Sequence, residues 1–98
     1  MIIFSDGADA DLEKVFAFNA ECDPAAAWEH IDAIRSAILI LKVHPEIGRR
    51  TSAPSMMREL VISQGATGYV ALYEYFPADD LIVVHAVRHQ REAGYLRI

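Results

Sequence analysis

The second half of this 98-residue sequence contains three strand-like segments that are joined by very short turns. These segments are residues 58–63, residues 69–76 and residues 81–89. They are rich in β-branched and aromatic residues, whereas the turns between them contain Gly, Pro, Asp and Gln. Because strands joined by short turns pair antiparallel, this half of the chain predicts an antiparallel sheet built from hairpins.

The first half of the sequence begins with a short apolar strand over residues 1–4, and a Cys22-Asp23-Pro24 break then separates two helical patterns. The first helix is predicted to run from a cap at Asp6 or Asp9 to about residue 21. Asp23 is a favourable N-cap for the second helix. Pro24 suits the first helical position, since its missing N–H has no partner to lose there.

The second helix is predicted to run from about residue 24 to about residue 43. Its apolar residues recur every three or four positions and form one stripe: Ala27, Ile31, Ile34, Ile38 and Leu41. Residues 37–41 are apolar on all sides, so they must be covered by the sheet and by a second surface. The predicted order is β-α-α-β-β-β. It describes a single α+β domain over residues 1–98, with a helical hairpin packed on one face of an antiparallel sheet.

Composition and charge exclude several classes of protein. The single cysteine, Cys22, excludes a disulfide framework and a cysteine-based zinc site, and it fits a reducing cytoplasm. Because no run of about 18 apolar residues occurs, we expect no membrane span. We also expect neither a metal nor a cofactor. Residues 1–43 carry three cations and eight acids, whereas the six arginines of residues 44–98 are balanced by six acids. A net charge of −5 disfavours strong, unassisted binding to nucleic acid.

Six sequence pieces occur in a recognisable order along nearly the whole chain. They are residues 11–18, the Asp23-Pro24-Ala25-Ala26-Ala27 helix start, the His44-Pro45-Glu46-Ile47-Gly48-Arg49-Arg50 loop, residues 58–61, residues 68–73 and residues 83–92. Together they resemble the RelE/ParE toxin superfamily of toxin–antitoxin systems, also called plasmid stabilization proteins. The loop is similar to the Pro-x-x-Gly-Arg motif of that superfamily, and the last piece is similar to its final basic strand. The resemblance implies the RelE/ParE-like fold.

For ribonuclease members, the resemblance implies metal-independent cleavage of messenger RNA on the ribosome. This chemistry needs an acid, a base and cations that stabilise the phosphorane. The resemblance implies that Arg58 and Arg88 face the phosphate and that His89 acts as acid or base. The alternatives are strand-end arginines paired with Glu59 or Glu92, and a histidine that fixes the C-terminal turn. His85 lies four residues before His89 on the same predicted strand, so both side chains are expected on one face.

Six further residues are candidates for binding a target or an antitoxin. Arg49 and Arg50 are suited to an acidic partner or a polyanion, and their alternative role is to contact the carbonyls at the end of the second helix. Trp28 and Leu39 lie off the main apolar stripe and are predicted to receive an antitoxin segment that folds on binding.

The alternative cover for Trp28 and Leu39 is the chain's own loop over residues 49–57, or a second copy in a homodimer. Arg91 and Tyr95 complete the set of binding candidates. Tyr95 has anchoring of the C-terminal tail as its alternative role.

The sequence departs from the basic ribonuclease members because it has two lysines, both in its acidic half. This departure favours the ParE-like branch, for which the resemblance implies poisoning of DNA gyrase. The first hypothesis is therefore a ParE-like toxin of a type II system that binds DNA gyrase and is neutralised by a cognate antitoxin. The second is a ribosome-dependent mRNA endoribonuclease that uses Arg58, Arg88 and His89. The third is a degenerate member that only binds its antitoxin.

Overall fold

The computed structural model describes residues 1–51, 56–64 and 67–90. Its elements are β1 (Ile2–Phe4), α1 (Asp6–Ala20), α2 (Pro24–Leu39), β2 (Arg49–Arg50), β3 (Met57–Gln64), β4 (Thr67–Phe76) and β5 (Leu81–His89). A turn of 3₁₀ helix over Ile40–Lys42 continues α2, so the helical region ends close to its predicted limit. A second 3₁₀ turn over Pro77–Asp79 joins β4 to β5. Neither helix in the described part of the chain is long and apolar enough to cross a membrane.

The two helices start with side-chain caps, of which the sequence predicted one. At α2, Asp23 accepts a hydrogen bond from the Ala25 amide at 3.0 Å and Pro24 takes the first helical position, as predicted. At α1, the predicted cap at Asp6 or Asp9 is wrong because Ser5 is the capping residue. Ser5 has extended backbone, and its hydroxyl accepts a hydrogen bond from the Ala8 amide at 3.1 Å. Asp6 and Asp9 instead lie in the first turn, where their charge favours the positive end of the helix.

The five strands form one sheet in the order β1-β5-β4-β3-β2. The predicted antiparallel pairing of β3 with β4 and of β4 with β5 is confirmed. The sheet departs from the predicted antiparallel pairing at one edge, where β1 pairs parallel with β5 through Ile2↔Ile82 and Phe4↔Val84. Two helices separate β1 from the hairpins in the sequence, so no short turn joins β1 to a neighbouring strand. Strand β1 instead pairs in parallel with the last strand, and the sheet is therefore mixed. Strand β2 was expected as loop, and its two residues pair with Glu59 and Arg58 of β3.

The helical hairpin covers one face of this sheet, as predicted. All five residues of the predicted α2 stripe are buried. They pack with alternate residues of the strands, and the buried sheet members of this core are Ile62, Tyr69, Ala71, Tyr73, Ile82, Val84 and Val87. Because β4 alternates regularly from Tyr69 to Tyr75, its odd-numbered side chains face the helices and its even-numbered side chains face away.

A bulge in β5 reverses which side chains face the helices. Leu72 pairs with Ala86 and Tyr73 pairs with Val84, so His85 has no partner in the ladder. An extra residue shifts the alternation by one position. Val84 and Val87 therefore both belong to the core although they are three residues apart. The expectation that His85 and His89 share a face is wrong, since His85 contacts Glu74 on the outer face and His89 lies against Tyr69.

Candidate functional site

Two side chains from the sheet hold the loop that contains the Pro45-x-x-Gly48 motif. The buried hydroxyl of Tyr73 accepts a hydrogen bond from the Gly48 amide at 2.9 Å and donates one to the Pro45 carbonyl at 2.9 Å. Arg58 donates through Nη1 to the carbonyls of Glu46 at 3.1 Å and Gly48 at 2.9 Å. Its Nη2 lies 3.5 Å from Oε2 of Glu46. The motif is therefore a rigid turn whose backbone groups are bound by the sheet.

Glycine is required in this turn for space. A Cβ on Gly48 would lie 2.6 Å from both Cε1 and the hydroxyl of Tyr73 and 2.9 Å from the Glu59 carbonyl. Burial raises the pKa of Tyr73 above its ordinary value of 10.0, and the nearby Glu46 carboxylate adds to the increase. The hydrogen bond from the Gly48 amide and the charge of Arg58 lower this pKa, but burial has the larger effect. The phenol of Tyr73 thus stays neutral and remains a hydrogen-bond donor to the turn.

A second contact joins α1 to the outer edge of β5. Asp11 is 6% exposed, and its Oδ2 accepts a hydrogen bond from the Val87 amide at 2.9 Å. Its Oδ1 accepts a hydrogen bond from the guanidinium of Arg88. Strand β1 accompanies β5 only as far as Val84, so Asp11 supplies the acceptor that a neighbouring strand would otherwise supply to Val87. The carboxylate therefore stabilises a free strand edge and also holds Arg88.

A groove of about 480 Å³ lies between α1 and the ends of β4 and β5. Its lining is mostly apolar and includes several polar groups. The residues that line it are Asp11, Lys14, Val15, Phe18, Asn19, Tyr69, Val87, Arg88 and His89. The Tyr69 hydroxyl shares a hydrogen bond of 2.9 Å with Nδ1 of His30 and lies 3.5 Å from the Asn19 amide nitrogen. The ring of His89 meets the ring of Tyr69 edge-on at 5.6 Å. The groove thus contains two cations and a histidine beside a buried tyrosine.

The structure does not bring Arg58, Arg88 and His89 into one site. Arg58 is aligned with Tyr73 and Arg88 with Val70, so the two arginines lie two strands apart and at different positions along the sheet. With standard strand spacings, their Cα atoms are roughly 14 Å apart. The Arg58 side chain is 15% exposed and bound to the turn, whereas Arg88 is bound to Asp11. Of the three, Arg88 and His89 share the groove.

The residues proposed for binding lie on the surface of the described structure. Arg49 and Arg50 are exposed on the outermost strand. Neither side chain makes a hydrogen bond or an ion pair among the described residues. Trp28 is 58% exposed and packs edge-on against Phe16, with ring centroids 4.7 Å apart. Leu39 is 52% exposed on the same outward stripe of α2. Arg91 and Tyr95 lie outside the described residues.

Sequence reasoning missed the groups that hold these sites in place. In the sequence Asp11 is one of several acids in the first helix, and its contacts with Val87 and Arg88 span 76 and 77 residues. Tyr69 and Tyr73 read only as parts of an aromatic strand. Two tyrosines four positions apart in a hydrophobic strand carry no signal for which hydroxyl binds a distant backbone group. Among the described residues, no group of three His, Cys, Asp or Glu side chains is placed to hold a metal ion.

Three comparisons with known proteins give consistent results. Residues 2–94 match the model of a family described as ParE toxin of type II toxin–antitoxin system, parDE. A curated protein named Toxin RelE3, from Caulobacter vibrioides, is 40% identical over 85 residues, which cover 87% of this chain and 88% of that protein. A solved structure titled "Chromosomal ParDE TA system from P. aeruginosa" has the same fold with a TM-score of 0.74. It is 16% identical and the match covers 90% of this chain and 92% of that chain.

Proposed function

The chain belongs to the ParE toxin family of type II toxin–antitoxin systems, and from this membership we propose that it inhibits growth by binding a protein target and not by cleaving RNA. The target that the ParE-like branch implies is DNA gyrase. A toxin with this target acts in the cytoplasm, where gyrase works on the chromosome. The cognate antitoxin neutralises it by forming a complex, and the pair maintains the plasmid or chromosomal segment that encodes both proteins.

The observation that carries this proposal is the commitment of both candidate catalytic arginines to structural partners. Stabilising a pentacoordinate phosphorane requires cations aimed at one phosphate. Arg58 instead binds two carbonyls and a carboxylate in the motif turn. Arg88 binds Asp11, which is buried and also holds the edge of β5. With the two guanidinium groups held by different structural partners, the residues support a fold-stabilising role for both.

The charge of the protein supports the same proposal. An enzyme that acts on messenger RNA inside the ribosome approaches a dense array of phosphates, which favours a basic protein. This chain has a net charge of −5. The acids are concentrated on the helical hairpin, whose outer surface bears Glu13, Glu21, Glu29 and Asp32. Such a surface favours a protein partner over RNA.

A ribosome-dependent mRNA endoribonuclease is the second candidate, and one feature of the structure favours it. The groove beside α1 brings Lys14, Arg88 and His89 together, and these are residue types that bind phosphate and transfer protons. The relative named Toxin RelE3 points to the same branch of the superfamily. In this activity Asp11 would have to release Arg88 before the arginine could bind a phosphate.

Controlled expression in bacterial cells distinguishes the candidates. The chain is induced alone and together with the product of the adjacent gene, and growth, transcript integrity by primer extension and gyrase–DNA adducts are measured in one culture. We expect growth arrest that the adjacent gene product relieves, with intact transcripts and trapped gyrase on DNA. Cleaved transcripts without gyrase adducts would refute the gyrase-binding function and would support the ribosome-dependent endoribonuclease. Normal growth with a stable complex would indicate a member that binds its antitoxin and no longer inhibits a target.

A further inference from the structure

The outer edge of β3 is only partly covered by β2. Strand β2 pairs with the start of β3, where the Thr51 amide donates to the Met57 carbonyl at 3.3 Å. Because every second residue of an antiparallel strand faces the same neighbour, the backbone groups of Val61 and Ser63 point to the same side as those of Met57. Nothing in the described part of the chain binds them on that side. We name Val61, Ile62 and Ser63 the open edge.

The open edge lacks the features that prevent a strand from pairing with another chain. The neighbouring β2 carries the exposed charges of Arg49 and Arg50, which are typical of a protected edge. The open edge has no charge, no proline and no bulge. Its Val61 side chain is 44% exposed, and Ser63 is exposed as well. Since strand edges that stay in water usually carry such protection, the open edge has the properties of a strand that is paired in a larger assembly.

Helix α2 presents a flank of small side chains on the side of the open edge. Helix α1 packs on β5 and β1, whereas α2 packs on β3. Trp28 on one flank of α2 contacts Phe16 of α1, so the opposite flank faces away from α1. Helical spacing places three half-buried alanines on that flank, namely Ala26, Ala33 and Ala37. Such small side chains allow a second helix to approach to the spacing of about 8–10 Å that packed helices adopt.

We propose that the open edge pairs with the open edge of a second copy of this chain, in a two-fold symmetric dimer. A rotation about an axis through Ile62, perpendicular to the sheet, places Val61 of one copy opposite Ser63 of the other. The backbone groups of these residues face the axis, so each opposed pair exchanges both of its hydrogen bonds. The sheet then continues through both copies, and the two helical hairpins lie on the same face.

A second copy fits the open edge because the same rotation also brings the helices together. Helix α2 lies above β3 and reaches β4 through the hydrogen bond between His30 and Tyr69. With strands about 4.8 Å apart, the two copies of α2 lie roughly 10 Å from each other across the axis. Their alanine flanks face each other at this distance. The helix contact adds the apolar area that a short pair of strands lacks on its own.

Sedimentation equilibrium of the purified full chain measures the dimer. We expect the mass of two chains, with a Kd on the order of 10 µM, as is typical of a small interface. Val61→Lys places a charge on the open edge. Its matched control is Ile3→Lys, because Ile3 is 43% exposed on β1 at the opposite edge of the sheet. We expect Kd to rise about tenfold or more for Val61→Lys and to change within about twofold for the control.

The backbone hydrogen bonds of the open edge are tested by Ser63→Pro. The proline removes the amide that points out of the sheet and leaves the bonds between β3 and β4 in place. Ser63→Ala is the matched control, since it removes the hydroxyl and keeps the amide. We expect the proline variant to be monomeric and the alanine variant to dimerise like the wild type. Thermal unfolding of each variant verifies that the fold is retained.

Cysteine cross-linking tests the register, in a chain whose exposed Cys22 is replaced by serine. Opposed residues of a hydrogen-bonded pair have Cα atoms about 5.5 Å apart, which is within the range of a disulfide. Val61→Cys and Ser63→Cys are each made in the Cys22→Ser chain and oxidised with oxidised glutathione. We expect an equimolar mixture of the two variants to form a disulfide-linked dimer faster than either variant alone.

Several outcomes would overturn the proposal. A wild-type chain that stays monomeric at about 100 µM would do so, since even a small specific interface would be populated there. A dimer that persists in both Val61→Lys and Ser63→Pro would place the contact elsewhere, as would cross-linking confined to the single variants. A monomeric wild type whose binding to the adjacent gene's product is lost in Val61→Lys would assign the edge to that protein. None of these measurements involves the cellular target, so failure of the proposed function is seen separately.

Discussion

Replacing Tyr73 with phenylalanine tests the role of the sheet in building the motif turn. The change removes one hydroxyl that makes two hydrogen bonds and leaves the ring in place. The Gly48 amide is buried and loses its partner, which costs about 1–3 kcal/mol. The Pro45 carbonyl is partly buried and can bind water instead, so the loss of its hydrogen bond costs less, about 0.5–1 kcal/mol. We expect the free energy of unfolding to fall by about 1.5–4 kcal/mol, which lowers Tm by roughly 6–30 °C for a chain of this size.

Urea unfolding monitored by circular dichroism measures this change, with Tyr75→Phe as the control. Tyr75 lies two residues along the same strand, packs against the same core and has no hydrogen bond from its hydroxyl among the described residues. We expect the control to change the free energy of unfolding by less than about 0.5 kcal/mol. The m-value stays constant in both variants if the native state remains compact. Equal effects of the two substitutions would refute the account of the turn.

The pH dependence of stability gives an independent check on Tyr73. Because burial raises its pKa above 10.0, the folded protein retains a proton that the unfolded chain releases between 10.0 and the higher folded pKa. The wild-type protein therefore loses stability across that interval, whereas its tyrosine contributes no pH dependence below it. Tyr73→Phe lacks this contribution. The stability difference between the two proteins should be constant at neutral pH and should shrink above about pH 10, as measured by urea unfolding at each pH.

Further predictions concern the second contact and the glycine of the turn. Arg88→Met leaves the buried carboxylate of Asp11 without its cation, and because the Arg88 side chain is 37% exposed we expect a loss of about 1–2 kcal/mol. In a double-mutant cycle, Asp11→Asn/Arg88→Met should cost less than the sum of its single variants, and simple additivity would contradict the pairing. Gly48→Ala should lower the free energy of unfolding by more than about 2 kcal/mol, since its Cβ would lie 2.6 Å from Tyr73. Gly7→Ala is the control for that substitution. Its Cβ would meet its nearest atom at 3.4 Å in α1, so we expect a change of zero to about 1 kcal/mol of added stability.

Local signals account for the parts of the fold that the sequence predicted. The Asp23-Pro24 helix start and the α2 stripe depend on neighbouring residues, and each is present in the structure as predicted. The hairpins of β3, β4 and β5 follow from short turns, which allow one mode of pairing. The position of β1 does not follow from any local pattern, because a three-residue strand contains too little information to choose a partner 80 residues away.

The site was harder to predict than the fold because its contacts are distant in sequence. The bulge at His85 inverts the side-chain alternation of β5, so a regular two-residue alternation wrongly places His85 and His89 on the same face. Asp11 looks like a helix-end acid until Val87 and Arg88 are placed beside it. Arg58 was correctly located on a strand, but the carbonyls that it binds belong to a turn whose shape depends on Tyr73. The exposure of binding candidates such as Arg49 and Leu39 could be predicted without knowledge of contacts that are distant in sequence.

The mode of toxicity is tested most directly by purified toxin and purified gyrase. The toxin is added to gyrase with supercoiled plasmid, and covalent gyrase–DNA adducts are measured. In a parallel reaction it is added to translating ribosomes, and mRNA ends are mapped by primer extension. We predict that adducts accumulate with toxin concentration, that the adjacent gene's product abolishes them, and that the mRNA stays intact. Cleavage of mRNA on the ribosome, with gyrase unaffected, would contradict the claim that this chain acts by binding a protein.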